Sequence, residues 1–244
     1  MKNIIHSTQH ILKNCIDIIF PSQCLVCNTY LEDKHILCEQ CTLTIPIESA
    51  LYCAVCEKRL SSFTVCHPSA LDAIGYAASY HVPLIRDLIH LYKYEYVRSA
   101  VVDLSNLLNS YLAATRLFAF LHTKKNNAII IPIPLHILRE RIRGFNQATL
   151  LGEQIARAND IILHDILMRT HNNPPQAQMK LKTKRIENAE NLFALKPNAS
   201  HLAQDKIILL IDDVATSCAT LTSAAKILKQ NGAKKVIGIV LAKG

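Results

Sequence analysis

The sequence has no apolar run near the roughly 18 uninterrupted residues that a transmembrane helix requires. It also has no continuous apolar leader followed by a small-residue cleavage site, because polar residues such as His6 and Lys13 interrupt its first segment. We therefore expect neither a membrane-spanning helix nor a secretory signal. The chain has no tryptophan and only six glycines, and these two scarcities exclude no class of function.

The composition indicates a folded protein with an excess of positive charge. Half of the 244 residues are apolar, which excludes global disorder and allows one large domain, or a medium domain with a small module. The net charge is +8. Basic residues cluster at 124–125, 139–143 and 180–185. Such clusters bind nucleic acids, polyphosphate ligands or acidic lipid surfaces, and they also occur as plain solubilising surface.

Seven of the nine cysteines fall within a short N-terminal stretch. Two Cys-x-x-Cys pairs are separated by ten residues: Cys24 with Cys27, and Cys38 with Cys41. This spacing is typical of four thiolates around one tetrahedral Zn²⁺. Disulfides are disfavoured, because without a signal peptide we expect a reducing compartment. The sequence therefore predicts a structural zinc site.

A third pair, Cys53 and Cys56, precedes Cys66 and His67. Ser69 stands where a fourth knuckle cysteine would fall. Three interpretations are open: a second zinc site completed by His67, a decayed site, or ligation shared among all seven cysteines. We favour a decayed or weak site, because adjacent ligands such as Cys66 and His67 form an awkward geometry.

The remaining chain alternates between predicted strands and helices. Residues 1–20 are predicted to form an amphipathic helix that packs on the body, 21–69 the zinc-binding module, and 70–244 an α/β domain with a mostly parallel sheet. Predicted strands cover 128–131, 166–169, 207–211 and 236–241. Predicted helices cover 82–92, 101–122, 145–157 and a segment ending at 230, while 170–191 is predicted to be a mobile loop.

An apolar strand at 207–211 ends in Asp212 and Asp213, and a small, hydroxyl-rich turn and a helical pattern follow. Ligands of parallel sheets bind beyond the carboxyl ends of the strands, and the amides of a loop that opens a helix bind phosphate. The acids could accept hydrogen bonds from a ribose diol or hold Mg²⁺. The alternative is that Asp213 is a helix N-cap and Asp212 a surface acid.

These residues resemble a known family. The pattern Asp-Asp-Val-x-Thr-Ser-x-x-Thr resembles the site of type I phosphoribosyltransferases for phosphoribosyl pyrophosphate (PRPP). The segments Leu91-Tyr92-Lys93-Tyr94, Pro132-Ile133-Pro134-Leu135 and Arg143-Gly144-Phe145-Asn146-Gln147, together with the cysteine pairs, resemble the ComF (competence protein F) family. The resemblance implies a zinc finger joined to a phosphoribosyltransferase-like domain.

The resemblance also implies roles for individual residues. The expected PRPP ligands are Asp212, Asp213, Ala215, Thr216, Ser217, Cys218, Ala219 and Thr220, with Leu135 and Arg139 at the pyrophosphate. Asp212, Asp213 and Arg143 are the candidate catalytic residues, acting electrostatically with Mg²⁺. Arg143 could instead be a surface charge, and we favour core packing for Phe145. Cys218 replaces the family's glycine, a change that bears on turnover more than on fold.

Two functional hypotheses follow. In one, which the resemblance implies, the chain handles single-stranded DNA in natural transformation. Its expected location is the cytoplasm, or peripherally the inner-membrane uptake machinery, with a helicase and other transformation proteins as partners. DNA would contact the zinc module, the basic stretch 180–185 and Tyr92, Tyr94 and Tyr96, although the tyrosines could equally form a half-buried strand edge. In the other, the chain is an active phosphoribosyltransferase whose acceptor is unknown. The two are compatible, because a PRPP pocket could order a DNA-binding surface.

Overall fold

The computed structural model describes residues 23–31, 35–61, 66–94, 100–122, 127–170 and 192–244. The helix predicted at 1–20 and the loop predicted at 170–191, except Thr170, lie outside the described residues. Within the described ranges, no helix combines the length and apolar character that crossing a membrane would require.

A seven-stranded sheet forms the centre of the protein. Its order is β2-β1-β3-β9-β8-β4-β5. Strands β3, β9, β8, β4 and β5 run parallel to one another. Strand β1 pairs antiparallel with both β2 and β3. The strands are β1 Leu51–Tyr52, β2 Arg59–Leu60, β3 Ala73–Ser79, β4 Ala128–Pro132, β5 Ile162–Leu163, β8 Ile207–Ala215 and β9 Lys235–Lys243. A separate antiparallel hairpin consists of β6 Leu167–Arg169 and β7 Phe193–Leu195.

Helices cover both faces of this sheet, so its central strands are apolar along most of their length. In β8, Leu209 and Ile211 enter one core while Ile208 and Leu210 enter the other, as the two-residue period of a strand requires. The first core includes side chains of α2 (Pro83–Tyr94), α3 (Ala100–Ala114) and α6 (Gln147–Asn159). The second is covered by α8 (Ala219–Gln230) and the β6–β7 hairpin.

Several elements differ from the prediction. The helix expected over 101–122 is divided into α3 and α4 (Leu117–His122), because Arg116 adopts a φ of 55° that a helix cannot continue through. The strand expected to stop at residue 211 continues to Ala215, so the acidic pair lies within β8. Strands β1, β2, β3, β5 and β7 were not predicted, nor were three short helices: α1 (Glu39–Leu43), α5 (Ile137–Arg143) and α7 (Ser200–Ala203).

The order of the strands places a crevice between β4 and β8. The chain leaves β4 through α6 to reach β5 on one side, and it leaves β8 through α8 to reach β9 on the other. Where two neighbouring connections diverge in this way, the carboxyl ends of the strands border an open crevice that is the usual ligand site. Here those ends carry the Ile133–Pro134 segment and the Asp212–Asp213 pair.

The zinc module is attached to the edge of the same sheet. Strand β1 pairs with β3, so that Leu51 lies opposite Gly75. The Tyr111 hydroxyl donates a 2.7 Å hydrogen bond to the Ala50 carbonyl, and a Cβ on Gly75 would collide with that tyrosine. The glycine therefore makes room for the contact that joins the module to α3.

Candidate functional site

The acidic pair is held in the last part of β8 rather than exposed after it. Asp213 is buried, and its Oδ2 lies 3.0 Å from the Nζ of Lys93 in α2. Asp212 is half-buried, and its Oδ1 accepts a 2.8 Å hydrogen bond from the Asp213 backbone N–H. Burial raises the pKa of Asp212 to about 7, and the neighbouring Asp213 charge adds to this shift. The interpretation of Asp213 as a helix N-cap is wrong, because α8 begins after Cys218.

Residues 216–220, which we call the hydroxyl loop, comprise the turn after β8 and the first two residues of α8. Thr216 and Ser217 are exposed, and the loop with Asp212 lines an open depression with about 270 Å³ of empty space. Cys218 is the N-cap of α8 and adopts a left-handed conformation with φ 56° and ψ 5°. This chain thus places a cysteine in the conformation that glycine adopts at least cost.

The Cys218 side chain is shielded from solvent. It is buried, and it also lines a second cavity on the side of the zinc module, together with Lys243 and Glu57. Burial raises the pKa of the Cys218 thiol, against the opposing effect of the Lys243 charge. The thiol is therefore a neutral group in the wall between the hydroxyl loop and the zinc module.

The opposite wall of the crevice follows β4. His136 caps the short helix α5, where its Nδ1 accepts a 3.3 Å hydrogen bond from the Leu138 backbone N–H. No residue of α5 is buried. Arg139 and Arg143 are half-buried and Arg141 is exposed, so this wall is strongly basic.

The Arg-Gly-Phe-Asn-Gln segment joins α5 to α6. Gly144 ends α5 with a φ of 74°, and Asn146 caps α6 while its amide donates a 3.0 Å hydrogen bond to the Ile133 carbonyl. Phe145 is buried with its ring centroid 5.9 Å from that of Tyr92, which agrees with the favoured core interpretation. The segment thereby fixes the start of α6 against the end of β4.

Three polar residues of the site were not among the predicted site residues. Lys93 pairs with Asp213, and Gln147 accepts a 3.2 Å hydrogen bond from Arg143 NH1. Within the described ranges, the buried Gln147 Nε2 and the Arg169 Nε have no hydrogen-bond partner. Burial lowers the pKa of Arg169, the Arg139 charge acts in the same direction, and Asp212 opposes both. The Leu91-Tyr92-Lys93-Tyr94 segment was a signal that could have identified Lys93.

Tyr92 is not available to stack on a nucleobase. It is fully buried in α2, and its hydroxyl donates a 2.9 Å hydrogen bond to the Gln147 carbonyl. The suggested strand edge is also wrong, because residues 83–94 form a helix. The Tyr94 side chain, Tyr96 and the basic stretch 180–185 lie outside the described residues.

The four cysteines of the first cluster, Cys24, Cys27, Cys38 and Cys41, have the geometry of a zinc site. Their sulfur atoms all lie within 4.8 Å of one another, and Cys27 Sγ is 3.6 Å from Cys38 Sγ. Ligands about 2.3 Å from a tetrahedral zinc ion are separated by about 3.8 Å. The set therefore fits a structural zinc ion with four thiolate ligands.

The second cluster, Cys53, Cys56, Cys66 and His67, is equally compact. Cys56 Sγ lies 3.7 Å from Cys66 Sγ, and His67 Nδ1 lies 3.5 Å from Cys53 Sγ. The adjacent ligands Cys66 and His67 do converge, with Sγ and Nδ1 3.2 Å apart. We favoured a decayed or weak site; the geometry disagrees with decay, since one donor atom from each of the four residues fits a second tetrahedral zinc.

Comparisons with known proteins agree with both parts of the molecule. Residues 103–244, more than half of the chain, match the phosphoribosyl transferase domain family. The chain belongs to that family. Residues 15–69 match the double zinc ribbon domain, so the phosphoribosyl transferase domain is preceded by a module typical of two zinc ions.

Individual relatives extend over most of the chain. Competence protein F of Haemophilus influenzae is 28% identical over 218 residues, which cover 82% of this chain and 93% of that protein. The DNA utilization protein YhgH of Escherichia coli O157:H7 is 28% identical and covers 87% of this chain and 86% of its own. Competence protein ComFC of Bacillus subtilis is 42% identical over 43% of this chain and 39% of its own. These matches confirm the resemblance to the ComF family.

Proposed function

We propose that this phosphoribosyl transferase domain binds PRPP together with Mg²⁺ in the crevice between β4 and β8. The observation that supports this most directly is the acidic pair and the adjoining open hydroxyl loop at the carboxyl ends of these strands. Both carboxylates are tied into the protein rather than turned to solvent, and Cys218 forms a wall rather than filling the loop.

Each wall of the crevice suits one part of this ligand. The hydroxyls of Thr216 and Ser217 and the amides that open α8 suit the 5-phosphate. Asp212 and Asp213 offer carboxylate oxygens to the ribose hydroxyls. A bound Mg²⁺ would supply positive charge for the pyrophosphate, and carboxylate oxygens are ligands that it accepts.

The basic wall formed by α5 suits the pyrophosphate. Arg139 and Arg143 can each make two parallel hydrogen bonds to phosphate oxygens, and the Leu135 backbone lies at the start of this wall. If pyrophosphate leaves, the same arginines stabilise its growing negative charge. Asp212 and Asp213 would then face the positive charge that develops on the ribose.

Calorimetric titration of the folded chain with Mg²⁺ and PRPP tests this proposal. We expect saturable binding that Asp213→Asn weakens at least tenfold, and weaker binding of ribose 5-phosphate, which lacks the pyrophosphate. Exposed Asp165→Asn is the matched control and should leave the affinity unchanged. The absence of heat at millimolar ligand would remove both PRPP binding and the alternative of an active transferase. Release of pyrophosphate without an added acceptor would favour an active enzyme.

We further propose that the chain acts in the handling of incoming single-stranded DNA. The names of the relatives, competence protein and DNA utilization protein, support such a role. The net charge of +8 and the three arginines of α5, which the described residues do not bury, support an anionic polymer as partner. A cytoplasmic location with a helicase and other transformation proteins as neighbours belongs to this proposal.

Fluorescence anisotropy with a labelled oligonucleotide tests the DNA proposal. We expect the affinity to fall steeply with added salt, because each phosphate contact releases counterions. Arg141→Gln should weaken binding to all sequences and lower the salt slope by about one. Arg157→Gln on α6 is the control, since Arg157 is also exposed but lies at the far end of that helix. Binding that is insensitive to salt would contradict the proposal.

A further inference from the structure

The second cluster and the hydroxyl loop border the same cavity. This open cavity lies between the zinc module and the phosphoribosyl transferase domain. Cys53, a ligand of the second cluster, and Glu57 line it from the module, and Cys218 and Lys243 line it from the domain. Cys218 also lines the depression of the hydroxyl loop, so the two spaces share this residue.

A continuous set of contacts connects the second cluster to the loop. Glu57 follows the ligand Cys56 directly, and its Oε1 lies 2.9 Å from Lys243 Nζ. Lys243 ends β9 opposite Ala215, the last residue of β8 before the loop. The Gly244 N–H donates a 3.0 Å hydrogen bond to the Ala215 carbonyl and so strengthens this end of the sheet.

The module is also held against the sheet on the near side of the second cluster. Tyr52, which precedes the ligand Cys53, stacks on Tyr76 of β3 with ring centroids 5.0 Å apart. The Tyr52 hydroxyl donates a 2.8 Å hydrogen bond to Glu48, and the Glu48 N–H bonds to the Ala77 carbonyl. The second cluster is thus flanked on both sides by contacts to the domain.

The conformation of Cys218 in the hydroxyl loop connects these contacts to the ligand site. Cys218 is held at a φ of 56°, which a side-chain-bearing residue maintains only when its surroundings fix it. Cys53 and Glu57 contribute the opposite wall of the cavity that Cys218 lines. Without zinc, the four ligands of the second cluster have no common partner, and that wall loses its covalent anchor.

We propose that zinc in the second cluster and a phosphorylated ligand in the hydroxyl loop bind cooperatively, so that the second cluster regulates the ligand site. This inference rests on the proposed binding of PRPP. Coupling between two sites is reciprocal: if zinc strengthens ligand binding, the ligand must strengthen zinc binding by the same factor. Zinc affinity therefore reports on the coupling without any measurement of enzymatic activity. Because Glu57 is largely exposed, we expect the packing around Cys218 to carry more of the coupling than the ion pair.

Metal analysis of the full chain in graded free-zinc buffers, with and without Mg²⁺ and PRPP, provides the test. We expect two zinc ions per chain, one of which is retained at a free-zinc concentration about fivefold to tenfold lower when PRPP is present. The other ion, in the first cluster, is an internal control and should not respond. His67→Ala should remove the responsive ion and weaken PRPP binding by the same factor in calorimetry.

Variants locate the route of the coupling. Cys218→Ala trims the shared wall and should reduce the zinc shift by at least half, and Glu57→Gln should reduce it by a smaller amount. Glu39→Gln is the matched control, because Glu39 follows the first-cluster ligand Cys38 just as Glu57 follows Cys56. An unchanged zinc affinity, while calorimetry shows that PRPP is bound, would contradict the coupling and leave the proposed PRPP binding intact. If calorimetry shows no PRPP binding, the proposed function and this inference both fail.

Discussion

Lys93 Nζ lies 3.0 Å from Asp213 Oδ2, and this ion pair joins α2 to the end of β8. The side chains are 21% and 13% exposed, so the pair is largely shielded from solvent. Burial opposes the charge on Lys93, but the Asp213 charge and hydrogen bond outweigh it and raise the pKa of Lys93. In the free protein, the lysine thus provides the positive charge that a buried carboxylate requires.

Removing this lysine should destabilise the fold strongly. Lys93→Met leaves the Asp213 carboxylate buried without its partner, and such a loss costs about 3 kcal/mol or more. Urea denaturation at neutral pH measures the effect. In the Asp213→Asn background the same substitution should cost at least 1 kcal/mol less, since contacting charges are energetically coupled. Equal costs in the two backgrounds would contradict a stabilising pair.

The elements that could be predicted from sequence are those with a strong apolar period. Strand β8 and helix α8 were predicted because each has apolar residues at the spacing of its buried face. Strand β3 was not, because its segment is rich in alanine and contains Gly75, residues with low strand preference. Helix α5 has only seven residues, too few for its apolar side chains to establish a helical period.

The same distinction applies to the site. The hydroxyl loop was predicted because its ligand groups come from consecutive residues after one strand. Lys93 and Arg169 reach the acidic pair only through the packing of α2 and of the β6–β7 hairpin, which residue spacing does not specify. His67 was discounted because adjacency suggested strain, whereas the turn carries its Nδ1 toward the three cysteines.

Ligand binding should release a proton from Asp212. Its folded-state pKa of about 7 lies above the ordinary 3.8, so below neutral pH the carboxyl is largely protonated in the free protein. A bound Mg²⁺ complex requires the ionised form, and the affinity should therefore rise by up to tenfold per pH unit until about pH 7 and then level off. Calorimetry in buffers with different ionisation enthalpies counts the protons released.

Asp212→Asn provides the control, because PRPP has titrating phosphates of its own. The variant should release fewer protons than the wild type and should lose the additional pH dependence. The free protein should also respond, since a raised carboxyl pKa makes stability fall as pH rises from about 4 to 7. The same proton count in both proteins would show that Asp212 does not ionise on binding.

The left-handed conformation of Cys218 can be tested by a pair of substitutions. Cys218→Gly should be more stable than Cys218→Ala by about 1 kcal/mol, because only residues with a Cβ are strained at this φ. At Lys226, an exposed position within α8, the order should reverse, with glycine about 1 kcal/mol less stable than alanine. Urea denaturation of the four variants makes the comparison. Alanine as the better residue at both positions would mean that position 218 is not left-handed in solution.

The first cluster should depend on a buried acid of α3. Asp103 is 4% exposed; its Oδ1 lies 2.6 Å from His35 Nδ1, and its Oδ2 accepts a 2.7 Å hydrogen bond from the Ile36 N–H. Asp103→Asn weakens both contacts and should cost about 2 kcal/mol, as is usual for hydrogen bonds to a charged group. Asp165→Asn is the matched control, because the Asp165–Lys196 pair is exposed and should contribute less than about 1 kcal/mol.

Hydrogen exchange at residues 35–41 should rise in the Asp103 variant alone, since His35 and Ile36 connect the first cluster to the domain. If the two variants lose equal stability and exchange remains slow in both, then α3 does not anchor the first cluster.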